Sequence, residues 1–322
     1  MMSALSRLRH SLLPKVFSSI GWLTVSATLV WLLLFTLTGE KITLVRWVSY
    51  VLHWLSGLLL IQAIPSFILK KKKLTIALLL PGILLFLPYI HLFIPSGTET
   101  PPGQPVYKVM TYSKMGRNRD IEAVANVVLS ESPDILFMQE INQEDSEKLV
   151  TLVSDMYNGK PVHYYADPFK GLILSRFSIT SKMKKGDYSL VAEIDIDGTK
   201  TSVWNVHLQK SITDTQLQDK MIQQLVSQVE NTAGPIIVAG DFNATEVNYP
   251  YLMMKKYLNN AFEEAGFGFT FPSPARRMGS LTPFMRIDYI FYSVHFNTNK
   301  TYVLNDTGGS DHYPVVSYLY MN

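Results

Sequence analysis

The 322-residue chain contains no cysteine, which excludes a disulfide framework and any thiolate metal site and leaves both redox compartments open. Its histidines show no His-Glu-x-x-His spacing, so nothing in the sequence favours a zinc site. Internal repeats, low-complexity tracts and interleaved aromatic and basic residues are missing too. Their absence removes repeat arrays and a base-stacking platform from consideration. Acidic residues are scarce at one end only. Residues 1–95 hold nine Lys and Arg against Glu40, which leaves twenty Lys and Arg against twenty-five Asp and Glu, about −5, for residues 96–322.

What fills the acid-poor end is hydrocarbon. The chain is 47% hydrophobic with a mean hydropathy of +0.11, enough for one large domain plus an unusually apolar segment. Val16 to Leu37, Trp47 to Leu69 and Leu74 to Ile94 are nearly uncharged runs of the ~20 residues needed to cross a bilayer, and they predict three transmembrane helices. A cleaved signal peptide would leave two apolar runs unexplained, and no small-residue cleavage site is present. Pro65 and Pro81 are tolerable inside such helices, and Trp and Tyr near the ends suit the interface. Arg7, Arg9 and Lys15 precede the first run and Lys70 to Lys73 fill the second connection, whereas Lys41 and Arg46 in the first are offset by Glu40. The positive-inside rule therefore places the N-terminus and the tetra-lysine loop in the cytoplasm and the C-terminal domain outside it, periplasmic or exterior. A lysine run could instead bind lipid headgroups or nucleic acid, but on so short a loop topology is the simpler account.

Residues 96–107, with Pro101, Pro102, Gly103 and Pro105, read as an extended linker before a domain spanning 108–322. Val106 to Tyr112 is its first expected strand. Asp120 is placed to cap a helix with Ile121, Val124, Ala125 and Val128 on one face, ended by Ser132-Pro133. Gly171 to Ser175, Val191 to Ile196, Thr201 to Val206 and Val315 to Tyr320 read as strands, with an Asp197-Gly198 hairpin turn. Leu217, Met221, Leu225 and Val229 predict a helix packed on the core, and Tyr251 to Ala265 a further helix.

Several apolar runs end in chemistry. Ile236 to Ala239 stops at Gly240 before Asp241 and Asn243; Ile135 to Met138 ends in Gln139 and Glu140; Val203 to Val206 brings Asn205 and His207; Ile287 to Phe291 carries Asp288; and Asp311 and His312 follow Gly308-Gly309-Ser310. Any one of these is an ordinary cap or turn. All of them in one domain point to a site at a sheet edge, where ligands bind.

Together, Thr111-Tyr112, Gln139-Glu140, Asn205-Val206-His207, Gly240-Asp241-Phe242-Asn243, Arg286-Ile287-Asp288-Tyr289 and Ser310-Asp311-His312 resemble the ordered motifs of the endonuclease/exonuclease/phosphatase superfamily, here in a membrane-anchored, bacterial-type member. The resemblance covers about Val106 to Leu319. It implies an α/β fold, a four-layer α/β sandwich of two packed β-sheets flanked by helices, and metal-dependent hydrolysis of phosphate esters. It also implies Glu140 as principal ligand of Mg2+ or Mn2+ with Asp311 and Asp241, and His312 as general base oriented by Asp288. By the same resemblance Asp241 positions the nucleophilic water, Asn243 donates to the phosphoryl group, and His207 stabilises phosphate with support from Asn205. A phosphodiester repels an attacking anion, so cation charge, a base and help for the leaving oxygen are what such chemistry needs. The family's Asn after the first strand is Ser113 here; a hydroxyl is shorter and offers one donor where an amide offers two, so weaker support of the metal is expected.

The substrate expected is a phosphodiester, in nucleic acid or in a lipid headgroup as in sphingomyelinases, with membrane lipid around the anchor and no obligate protein partner. An acidic domain lacks the cation surplus of a nonspecific nucleic-acid binder, though four of its carboxylates belong to the candidate site. Arg176 is expected to contact phosphate or to close a strand end by a salt bridge, and Lys182, Lys184, Lys185, Arg276 and Arg277 to form a basic rim or a solvated face. A non-catalytic phosphate-binding module is the alternative from another class, disfavoured because Glu140, Asp241, Asn243 and His312 are all present.

Overall fold

The computed structural model describes residues 12–167, 171–184, 188–274 and 283–322. They divide into two compact units, Met1–Ile90 and His91–Asn322.

The first unit consists of α1 (Leu12–Thr38), α2 (Thr43–Tyr50), α3 (Leu52–Ile68) and α4 (Lys72–Phe86), the last continued by a 3-10 turn (Leu87–Phe93) that runs into the second unit. Hydroxyls inside α1 bond back to their own helix: Ser18 donates to Pro14 O at 2.8 Å, Thr28 to Thr24 O at 2.8 Å and Thr38 to Leu34 O at 2.8 Å. This satisfies polar groups without water. The side chains facing outward are apolar (Leu23 69%, Leu37 73%, Phe67 75% exposed), whereas Thr28, Ser49, Ser56 and Ser66 are buried. Small residues bring the helices together, since a Cβ at Gly82 would meet Leu60 at 2.9 Å. Leu13–Thr38 and Lys72–Phe93 are long and apolar enough to cross a membrane. The second expected span, Trp47 to Leu69, is not one straight helix: α2 and α3 meet at 67°, because Val51 leaves helical geometry (φ −115, ψ 22). Alone, α3 reaches only about 25 Å, short of the ~30 Å hydrocarbon core. Arg7 and Arg9, used to orient the chain, lie outside the described residues.

The second unit holds β1 (Tyr107–Ser113), α5 (Ile121–Glu131), β2 (Ile135–Gln139), α6 (Gln143–Leu152), β3 (His163–Asp167), β4 (Gly171–Ser175), β5 (Ile179–Lys184), β6 (Ser189–Ile196) and β7 (Thr199–His207). It continues with α7 (Thr215–Glu230), β8 (Ile236–Asp241), α8 (Tyr249–Met254), β9 (Asn259–Asn260), α9 (Ala261–Ala265), β10 (Asp288–Tyr292), β11 (Phe296–Val303) and β12 (Val315–Met321). Two six-stranded mixed sheets form, ordered β11-β12-β1-β2-β4-β3 and β5-β6-β7-β8-β10-β9. Alternation along the strands sends Val109, Phe137, Ile173, Val203, Ile237, Ala239 and Ile290 into one core between the sheets. The opposite faces pack on helices, α5 and α6 on the first sheet and α7 on the second. These are the layers the resemblance implies.

Local expectations hold in part. The Asp120 side chain accepts from Ala123 N at 2.9 Å and caps α5, and Asp197 (φ 48) with Gly198 (φ 91) makes the hairpin turn. In α7 the buried face runs through Gln218, Ile222, Leu225 and Val229, while Leu217 is 39% exposed; the first position of the expected stripe lies off the core. Tyr251 to Ala265 is not one helix, because β9 pairs with β10 in its middle. The segment expected as an extended linker bonds to the last strand: Thr98 Oγ1 with the Tyr320 hydroxyl, and Gln104 Nε2 to Met321 O at 2.6 Å.

The two central strands of the second sheet approach closely at Gly240, where an added Cβ would lie 1.8 Å from Val206 O on a backbone at φ +151. Gly198, at φ +91, has nothing within 4 Å. Gly240→Ala should therefore destabilise the chain by at least ~3 kcal/mol, the upper end of overpacking costs, and Gly198→Ala by only ~1 kcal/mol for the unfavoured backbone region. Thermal unfolding of the detergent-solubilised chain measures both, and equal shifts would count against the close approach.

Candidate active site

Sheet register alone lines up the centre. His207 pairs with Asp241 across the parallel β7–β8 ladder, and Asp241 pairs with Asp288 across the antiparallel β8–β10 ladder. In-register residues share a face, and the residues two and four positions along the same strands, such as Ala239, Ile237 and Ile290, belong to the inter-sheet core. His207, Asp241 and Asp288 therefore form a row at the mouth of the cleft between the sheets.

The other sheet contributes Glu140 one position past β2. Plain alternation would turn it outward, opposite to inward-facing Gln139. Its φ of +57 breaks the strand and redirects the side chain. Glu140 Oε2 accepts from Gly116 N at 2.7 Å, and Oε1 lies 3.8 Å from His207 Nε2. His312 comes from the loop before β12, which is clamped to the end of β1: Ser310 Oγ donates to Ser113 O at 2.6 Å and accepts from His312 N at 3.0 Å. Its Nδ1 hydrogen-bonds Asp288 Oδ2 at 2.8 Å, leaving Nε2 at 4.0 Å from Asp241 Oδ2.

Electrostatics follow from this crowding. Burial raises the Asp241 carboxyl to about 7, helped by the charge of Asp288. Burial works against an imidazolium at His312, but the charge and hydrogen bond of Asp288, with Asp241 and Asp311 behind them, outweigh it and hold the ring to about 10. His207 is lowered to about 4, chiefly by desolvation of the ring and against the pull of Glu140, although 28% of its side chain stays accessible. Glu140 sits below its ordinary value: burial raises it, but the Gly116 N–H and the charges of His207, Lys210 and His312 prevail.

Asp241 Oδ2 and Asp288 Oδ1 are buried without a hydrogen-bond partner. Asp241, Asp288 and His312 can offer ligand atoms all within 4.8 Å of one another. Orphaned hard oxygens beside one nitrogen fit a divalent ion such as magnesium or manganese. The expected ligand set, Glu140, Asp241 and Asp311, shares only Asp241 with this group. Glu140 lies 3.8 Å from His207 Nε2, and Asp311 is half-buried beside His312.

Two expected residues are engaged structurally. Asn205 donates to Met138 O at 2.6 Å and Leu172 O at 3.1 Å and accepts from Gln139 Nε2 at 2.7 Å, tying one sheet to the other. The Asn243 N–H donates to Asp241 Oδ1 at 2.8 Å and its amide to Leu208 O at 2.9 Å, with φ +46. Arg176 resolves to the strand-end ion pair, 3.1 Å from Asp134. In the expected basic rim, Lys182 stacks over Tyr164 and Tyr165, while Lys185, Arg276 and Arg277 lie outside the described residues. Ser113 Oγ is buried and unpartnered. In the following loop Lys114 binds Asp145 at 2.6 Å and Asn118 donates to Gly308 O at 2.9 Å. Sequence reasoning missed Gln139 as the inter-sheet tie and Lys210 as a cation whose charge acts on Glu140 and Asp241; the signal for Lys210 is its place just beyond the His207 strand.

Comparison with known proteins bears on the family and the fold. A model of the Endonuclease/Exonuclease/phosphatase family matches residues 86–312. No curated protein sequence matches the chain. Among solved structures, a family protein from Bacteroides thetaiotaomicron is 18% identical with a TM-score of 0.54, covering 68% of this chain and 96% of its own. A humanized D. rerio TDP2 is 14% identical with a TM-score of 0.56, covering 66% and 98%. A mannosyl-6-phosphatase from Bacteroides thetaiotaomicron is 18% identical with a TM-score of 0.54, covering 66% and 99%. At such identities the likeness is one of fold, and it coincides with the unit that carries the carboxylate and imidazole row; by the family match over residues 86–312, the chain belongs to the Endonuclease/Exonuclease/phosphatase family.

Proposed function

We propose that this family phosphoesterase is a divalent-metal-dependent phosphodiesterase held at a membrane, with its catalytic unit outside the cytoplasm. The observation that carries the chemistry is the meeting of Glu140, His207, Asp241, Asp288 and His312 at one cleft mouth with two orphaned carboxylate oxygens. Asp241 Oδ2 and His312 Nε2, 4.0 Å apart, leave room for a water oxygen within hydrogen-bonding distance of both. Asp241 orients that water and His312 takes its proton at Nε2, while Asp288 holds the ring's other nitrogen and balances the imidazolium that forms. His207, facing Glu140 and Asp241 at 3.8 Å, offers Nε2 to a phosphate oxygen from the opposite side. Asn205 acts through the sheets, keeping β7 in place. Glu140, Asp241 and Asp288 are the residues available to hold a divalent ion, with Asp311 beside them, because both ring nitrogens of His312 are already in use. When bound, such an ion supplies charge to the non-bridging oxygens and favours ionised Asp241 and neutral His312.

Membrane anchoring rests on the apolar exterior of the first unit and on its two long helices. The tetra-lysine loop lies on the same side as Lys15 only if the bent pair Thr43–Ile68 crosses as one kinked span, which leaves the catalytic unit on the opposite side. The acidic balance of residues 96–322 favours a substrate other than bulk nucleic acid, and a lipid headgroup is the second form of phosphodiester it fits.

His312→Ala and Asp241→Ala should each lower turnover on bis(p-nitrophenyl) phosphate by at least ~100-fold, and chelation should abolish activity in the wild type. Near-normal turnover in both variants would misplace the site. Ser113→Asn restores the amide that the resemblance implies. Titrating activity against magnesium should then show half-activation at roughly 10-fold lower concentration, and an unchanged curve would mean that Ser113 does not face the metal. For topology, a phosphatase reporter fused after Asn322 should be active where it folds only outside the cytoplasm; activity of a cytoplasm-dependent reporter there would reverse the assignment.

A further inference from the structure

The loop leaving α9 carries a run of aromatic rings that starts exposed and ends buried, at Phe271. Phe267 is 64% exposed. Its ring meets Phe93 at 6.0 Å, Phe93 meets Phe269 at 5.2 Å, and Phe269 stacks on Phe271 at 5.5 Å. The backbone joins them as well, since Gly268 N donates to Leu92 O at 2.7 Å. Beside them Phe93 is 37% and Ile94 68% exposed. An apolar surface of this kind has to be covered by something.

Its position along the chain says by what. Leu92 and Phe93 close the 22-residue apolar stretch Lys72–Phe93, which as a helix is about 33 Å long, so its last residues fall at the hydrocarbon boundary. A ring in contact with Phe93 lies at nearly the same depth. We propose that Phe93, Ile94 and Phe267 form a membrane-interface foot of the catalytic unit, backed by Phe269 and sunk into the headgroup and acyl boundary without spanning it, the level at which amphipathic protein surfaces bury their aromatic residues. The other end of the same loop touches the site: Tyr313 N, next to His312, donates to Pro272 O at 2.8 Å, and Ser273 N to Met285 O at 3.1 Å. Phe267 and Pro272 are five residues apart, at most about 18 Å of chain. The foot therefore holds the site within reach of phosphoesters at the bilayer surface. The inference rests on the membrane reading of the first unit.

The cysteine-free chain permits a clean test. Phe267→Cys, and as a control Ser178→Cys, are spin-labelled in the full-length protein and reconstituted into vesicles of phosphatidylcholine and phosphatidylglycerol. Ser178 is exposed ahead of β5, the edge of the second sheet opposite β9. The label at 267 should be relaxed more by oxygen than by a water-soluble nickel chelate, and the label at 178 the reverse. Nickel access at 267 equal to that at 178 overturns the foot, and so does a label at 267 shielded from both relaxants, which would place it against protein. Extraction of the wild type from vesicles by alkaline carbonate would instead defeat the membrane reading itself, a result separate from either.

Discussion

The catalytic unit depends on the distance between its two sheets at their mouth, and a single buried amide sets it. Asn205, on β7, hydrogen-bonds the carbonyls of Met138 and Leu172 and the Gln139 side chain, all on the opposing sheet. Apolar packing between sheets is tolerant of small slides, because dispersion has no direction. A fully satisfied buried polar network is not tolerant: any slide strands donors and acceptors away from water, at ~1–3 kcal/mol each. That lock fixes His207, two residues further along β7, relative to Glu140, one residue beyond Gln139. The acid from one sheet and the imidazole from the other face each other for that reason.

Within the second sheet the constraint is register. Asp241 is the centre of a row whose neighbours are set by ladder pairing, so His207, Asp241 and Asp288 are held on strands while His312 and Glu140 arrive from turns. Both are fastened, His312 through Ser310 to the end of β1 and Glu140 through the Gly116 amide. Such fastening keeps both side chains in place without help from a ligand.

Much of this was legible beforehand because strand ends announce themselves: an apolar run that stops at a polar pair marks both an element and an edge. Asp241, Asp288, His207, Glu140 and His312 were found that way and converge. What escaped detection was nonlocal. Nothing beside Asn205 tells that its partners lie on another sheet, so a residue expected to support His207 is seen to tie the two layers together. The bend at Val51 sits inside an unbroken apolar run, and hydropathy cannot see a change in backbone angle there. The break of Tyr251 to Ala265 was hidden likewise, because pairing of Asn259 and Asn260 with β10 overrides helical preference. The choice for Arg176 required knowing that Asp134 stands across from it.

Glu140 keeps a left-handed backbone that glycine or asparagine would adopt more cheaply, by roughly 1 kcal/mol or more. Asn243 sits in the same region. Random drift at Glu140 toward glycine would therefore be rewarded with a more stable fold while erasing a carboxylate of the site. A lineage released from the need for this chemistry should lose that acid early and gain thermal tolerance as it does so, whereas a copy still under selection has to keep carrying the strain.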